Sequence, residues 1–208
     1  MTRIRIARRK PVSTIGVVLA LSVCPTACLS PGSAPVIRYF LPVGSVTAQA
    51  ADDSSTDAVA PPIDGVGLEL ANLRSDTHID ERMLLRSSDV EVFPDEQNRW
   101  ISRPGVFVEQ SLRRVMFGES GFAERSGETR LRVTLRAYEA TLTEPASAVV
   151  AWECILDHAG KAHSTLLRES VRLIDTRPES IARAMGIAQE NCAQATLAWT
   201  RRIVAPSK

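Results

Sequence analysis

The chain has 208 residues, of which 44% are hydrophobic and 24% charged, and its formal net charge is +1. The length fits one domain of roughly 100–200 residues with some tail, and it is enough to bury a core. Five of the 25 basic residues, Arg3, Arg5, Arg8, Arg9 and Lys10, fall in the first ten positions; without them 20 Lys and Arg face 24 Asp and Glu, a net −4. A chain that becomes mildly acidic once its first segment is removed is a poor nucleic-acid binder, because contact with the phosphate backbone needs a basic surface.

The N-terminus reads as an export signal. The basic arm is followed by the apolar run Ile15–Val23 and a zone of small residues ending in Cys24 and Cys28. A basic arm, a short apolar stretch and a small-residue cleavage site make a secretory signal peptide. A spanning helix needs about 20 apolar residues. This run is shorter, contains Gly16 and Ser22, and is closed by Pro25. Cysteines at the end of the signal resemble those of bacterial lipoproteins, whose first mature residue is a lipid-bearing Cys. Cys28 is preferred, because Thr26 and Ala27 suit the small pocket at the scissile bond. Cys24 is the alternative, with bulky Val23 before it. A secreted form cut near Ala27 or Ala50 and carrying no lipid is also open. Leu29 gives no inner-membrane retention mark, so resemblance to bacterial lipoproteins implies the periplasmic face of the outer membrane.

Residues 1–27 are thus the signal peptide, and 28–62 a lipid-anchored tether and flexible linker. The tether contains one β-type run, Val36–Leu41. The stretch Val43–Pro62 has no aromatic residue and is rich in Ala, Ser, Asp, Thr and Pro. It cannot bury enough apolar surface to offset the entropy of ordering.

A single α+β domain is expected over 63–205. Val66–Leu70 alternates as a strand does. Arg82–Ser87 and Asp89–Phe93 read as two more strands, followed by a polar loop over Pro94–Asn98 and then Arg99-Trp100-Ile101. Pro104 and Gly105 lead into a helix over about Val106–Phe117, with Val108, Leu112, Val115 and Met116 on one face and Gly118 as its left-handed C-cap.

Arg130–Leu142 is a half-buried strand. Leu131, Val133, Leu135 and Ala137 face inward, and an arginine row of Arg130, Arg132 and Arg136 faces outward. That row could meet anionic lipid headgroups, but nearby carboxylates favour an ordinary solvated face. Ala148–Asp157 and Thr165–Asp175 continue a meander through a turn at His158–His163. A long helix, Pro178 or Glu179 to Val204, closes the chain, with the stripe Ile181, Ala184, Met185, Ala188, Cys192, Ala195 and Trp199. The expected architecture is an antiparallel sheet of about five or six strands with two helices packed on one face.

Little in the chain suggests catalysis. Cys154, His158 and His163 match no zinc spacing, and no third group orients a Cys154–His pair. There is no nucleophile elbow, phosphate loop or dinucleotide fingerprint. No catalytic residue, metal or cofactor is therefore expected. Cys154 and Cys192 could form a disulfide in the oxidising periplasm or remain two separate buried thiols.

In order and pattern the chain resembles the ABC-type transport auxiliary lipoproteins, the PqiC-like proteins associated with MCE lipid-transport systems. The likeness is carried by Cys28 followed by Tyr39-Phe-Leu41, by Gly65-Val-Gly-Leu-Glu-Leu70, and by Arg82-Met-Leu-Leu-Arg86 with Val90-Glu-Val92. The family's signature Arg-Trp matches Arg99 and Trp100. The helix around Leu112–Phe117, the Leu131–Leu142 strand and the alanine-rich last helix complete it. It covers about Cys28 to Val204. The chain departs from the family at Ser102-Arg103-Pro104, where an acidic-Pro-Leu run is usual, and in the length of its linker.

The resemblance implies a non-enzymatic accessory subunit at the outer membrane, partnered by an MCE-domain protein and an inner-membrane ABC transporter. It would dock the MCE protein or receive lipid from it, either alone or as a homo-oligomer. The residues leave two other readings open. One is a structural or assembly lipoprotein of the cell envelope unrelated to lipid transport. The other is a secreted hydrolase using Cys154 or His158.

Overall fold

A computed structural model describes residues 36–43, 66–118 and 121–205. The signal segment, Cys24, Cys28 and most of the linker lie outside the described residues. Among those described are nine strands and two helices in one mixed sheet-and-helix layer arrangement.

The spine of the sheet is a meander of three twelve-residue strands: β7 (Arg130–Thr141), β8 (Ser147–His158) and β9 (Lys161–Arg172). All three pair antiparallel. The turn between β8 and β9 has two central residues, Ala159 and Gly160, with φ of 50° and 73°. Positive φ at both positions is what a tight hairpin turn needs to match the strand twist. His158 and His163 accordingly lie on the strands, where a wider turn was expected.

The other edge of β7 is occupied in succession by β2 (Gly67–Leu70), β3 (Arg74–Ser75) and β4 (Arg82–Arg86), and all three run parallel to it. Beyond β4 lies the antiparallel strand β5 (Val92–Trp100), and beyond that β1 (Arg38–Phe40), parallel to β5. The two-residue strand β6 (Ala123–Glu124) pairs parallel with β2.

The sheet is therefore six strand positions wide, but it is mixed where an antiparallel sheet was expected. The cause is α1 (Pro104–Met116). Its passage between β5 and β7 lets the chain re-enter the sheet parallel to β4, which a short hairpin loop cannot do.

Three further expectations are corrected. The run Arg38–Phe40 falls within the expected tether, yet it is the edge strand of the sheet. The polar stretch Pro94–Asn98 lies inside β5. It bulges there: Leu84 pairs with Pro94 and Arg82 with Arg99, so four residues of β5 pass opposite Met83 alone. The Asp95 carboxylate accepts bonds from the backbone N–H of Gln97 (2.8 Å) and Asn98 (3.0 Å), which supplies the partners this bulge takes from the ladder.

The third concerns the end of α1. Its C-cap is Phe117, with φ −117°, and Gly118 is not left-handed. The chain folds back through Gly121, where an added Cβ would clash with the Met116 carbonyl oxygen. Only glycine allows that approach, and the Phe122 N–H then donates to the Met116 carbonyl at 2.7 Å.

The closing helix α2 (Pro178–Val204) has 27 residues and starts with Pro in its first turn, as proline's fixed φ favours. It lies across β7–β9 and against α1. Ala182, Ala184, Ala188, Cys192 and Ala193 are buried along it, and such small side chains bring it close to the sheet. Val108, Leu112, Val115 and Met116 of α1 share the same core with Val150, Trp152, Cys154 and Leu156 of β8.

Candidate functional site

The signature pair sits where β1 meets β5. Tyr39 is in register with Arg99, and Phe40 with Trp100. Two pieces of the family likeness sixty residues apart in sequence are thus side by side. Trp100 is 1% exposed and meets Tyr138 edge to face, with ring centroids 5.3 Å apart and planes at 78°. That geometry suits the quadrupoles of two aromatic rings.

From Tyr138 a polar chain runs into the helices. The Tyr138 hydroxyl donates to Oε1 of Gln189 on α2 at 3.1 Å. Nε2 of Gln189 donates to the Phe107 carbonyl at 3.1 Å and to Oγ of Ser111 at 2.6 Å, both on α1. Burial pushes the Tyr138 phenol well above its ordinary pKa, so it stays a neutral donor. Gln189 also borders a groove of about 330 Å³ between α1, α2 and the Leu41–Pro42 segment, with the Arg114–Glu190 ion pair on its rim.

Tyr138 faces the core because of a second bulge. Leu135 pairs with Trp152 and Ala137 with Ala151, leaving Arg136 as an extra residue. One inserted residue reverses the inward phase of a strand. The inward set is therefore Leu131, Val133, Leu135, then Tyr138 and Ala140, where Ala137 was expected. The outward Glu139 is only 3% exposed and accepts two bonds from the Arg86 guanidinium, at 2.7 and 3.0 Å.

Cys154 and Cys192 are both buried free thiols. Desolvation drives the Cys154 pKa up to about 12, against a weaker lowering by the Thr196 hydroxyl, and drives Cys192 higher still. A thiol that remains protonated in an apolar core is inert rather than nucleophilic. Thr196 organises this part of the core: it accepts from Trp152 Nε1 at 3.0 Å and donates to the Cys192 carbonyl at 2.9 Å. Nδ1 of His158 is bonded to the Thr129 hydroxyl at 2.8 Å. Among the described residues no three His, Cys, Asp or Glu side chains are grouped to hold a metal, and no helix is long and apolar enough to cross a membrane.

The arginine row is neutralised. Arg130 pairs with Glu69 at 2.7 Å and Arg132 with Asp157 at 2.9 Å. Arg136 reaches both Asp76 (2.9 Å) and Glu153 (2.5 Å). Exposed ion pairs of this kind add little to stability, because solvent screens them. They make a solvated face rather than a free cationic surface.

Large apolar side chains are exposed at the two lateral edges of the sheet. Tyr39 lies on β1 with Val36 and Leu41 on either side of the strand, and Ile174 stands after β9. The sequence signalled neither Gln189 nor Ile174. Gln189 lies among small apolar residues of a helix, and Ile174 is a single apolar residue beside the inward-facing Leu173.

No family model matches the chain, and no curated protein matches it. Solved structures do. A Xanthomonas campestris protein of the DUF330 family superposes with TM-score 0.60 at 17% identity, over 68% of this chain and 90% of its own. An uncharacterised protein gives TM-score 0.53 at 15% identity, over 66% and 91%. A minor lipoprotein of Acinetobacter baumannii reaches only TM-score 0.35 at 8% identity, over 66% and 93%. The first two share this fold.

Proposed function

We propose that the protein is a non-enzymatic lipoprotein of the cell envelope, anchored through Cys28 at the periplasmic face of the outer membrane. It serves an ABC transporter and MCE-domain protein as an accessory subunit that docks the MCE protein or receives lipid from it. The observation that carries this reading is the register of β1 on β5. Tyr39-Phe40, which follows the lipidation site in the family pattern, pairs residue for residue with the signature Arg99-Trp100. The buried, protonated state of Cys154 argues against a thiol hydrolase, and the energy for transport would come from the transporter's own ATPase.

Crosslinking in intact cells tests the partner. Capture of an MCE-domain protein is expected. Capture of envelope-assembly components in its place would turn the assignment to the structural or assembly lipoprotein. Cys28→Ala is expected to release the protein from the membrane fraction, whereas Cys24→Ala leaves it bound; the reverse result moves the anchor to Cys24.

A further inference from the structure

At the edge of the sheet farthest from β1, the end of β9 and the first turns of α2 enclose a groove of about 440 Å³. Its apolar lining includes Val171, Ile174 and Ile187, and three guanidinium groups, Arg172, Arg177 and Arg183, border it against a single carboxylate, Glu179. Arg177 is held by Asp175 at 2.6 Å. Arg172 and Arg183 have no acidic partner among the described residues, unlike the arginines of β7. Ile174 is 96% exposed, so a large apolar side chain stands in water beside unneutralised cations. A ligand that satisfies both features must be amphipathic and anionic.

We infer that this groove binds one anionic phospholipid, with the phosphate on Arg172 and Arg183 and an acyl chain along Val171, Ile174 and Ile187. Guanidinium groups present forked N–H donors that match phosphate oxygens, and few charged groups around an apolar cleft is the usual form of a ligand site. The inference rests on the lipid-transport reading above and gives that reading a place on the molecule.

The test places the photocrosslinker p-benzoylphenylalanine at Ile174 in the full chain, in cells whose phospholipids are labelled with ³²P. Val90, exposed on the β4–β5 turn, is the control position. At least fivefold more label is expected at 174 than at 90, and the adduct should have the mass of a diacyl phospholipid. Combining Arg172→Glu with Arg183→Glu should bring the label down to the control level. Equal labelling at the two positions, label unaffected by the charge reversals, or an adduct without acyl chains (a free phosphate compound) would each overturn the groove. MCE capture is scored separately. Capture without a lipid adduct rejects the groove alone, and a lipid adduct without capture rejects the transporter reading alone.

Discussion

The Tyr138 hydroxyl and the Gln189 carboxamide are hydrogen-bonded at 3.1 Å inside the core, and through that bond β7 is joined to both helices. The hydrogen bonds that link Tyr138, Gln189, Phe107 and Ser111 are buried, so losing one partner leaves another without a bond. Tyr138→Phe should cost about 1–3 kcal/mol, the usual penalty for an orphaned buried acceptor. In a double-mutant cycle by urea denaturation, Tyr138→Phe and Gln189→Ala should couple by about 1 kcal/mol or more. Strict additivity would show that the bond carries no net stability.

Trp100 permits a sharper test. Its Nε1 makes no hydrogen bond among the described residues, so its value should lie in ring packing against Tyr138. Trp100→Phe keeps an aromatic face and removes an unbonded donor; a cost of about 1–2 kcal/mol is expected, against about 3–5 for Trp100→Ala. Equal losses for the two variants would mean that the indole nitrogen matters.

Glu139 gives a prediction about charge. Its carboxylate is buried and held by Arg86 in two bonds. Arg86→Met should cost about 3–5 kcal/mol by leaving a buried charge unpaired, while Arg86→Met combined with Glu139→Leu should recover most of the loss. Failure of the double variant to recover would assign the effect to the bonds that Arg86 makes to the carbonyls of Ser88 and Asp89.

The thiols set an alkaline limit on stability. Desolvation raises the Cys154 pKa to about 12 in the folded state, against about 8.5 in an unfolded chain. Below pH 8.5 both states hold the proton and stability is unaffected. Between about 8.5 and 12 the unfolded chain gives up the proton first, so stability falls as pH rises. At pH 10 the loss is about 2 kcal/mol for this thiol. Denaturation at pH 8 and pH 10 should show it, and Cys154→Ala should reduce the difference. In native protein at pH 8, Cys154 and Cys192 should resist maleimide and react only after unfolding.

The β8–β9 turn can be improved. Ala159 has φ 50°, a left-handed conformation that costs an L-residue with a Cβ about 1 kcal/mol. Ala159→Asn creates the Asn-Gly pair favoured in such turns and should raise stability by about 0.5–1 kcal/mol, read as a higher melting temperature. A lower melting temperature would reject this account of the turn.

Periodicity alone determined the parts of this protein that depend on near neighbours in the chain. Val108, Leu112, Val115 and Met116 form one buried face because a helix repeats every 3.6 residues. Val150, Trp152, Cys154 and Leu156 form another because a strand repeats every two. Pro178 marked the start of α2, and the carboxylates near the arginine row foretold its neutralisation. The tertiary structure decided whatever depends on distant partners or on a single inserted residue. The bulge at Arg136 reverses the phase of β7 and brings Tyr138 inside, a shift that the pairing of β7 with β8 sets. The pairing of β1 with β5 draws Arg38–Phe40 out of the expected tether, because hydrogen bonds to a strand sixty residues away offset the entropy of ordering it. The groove beside Ile174 exists only because α2 returns over the end of β9, and no local pattern records where a helix comes to rest.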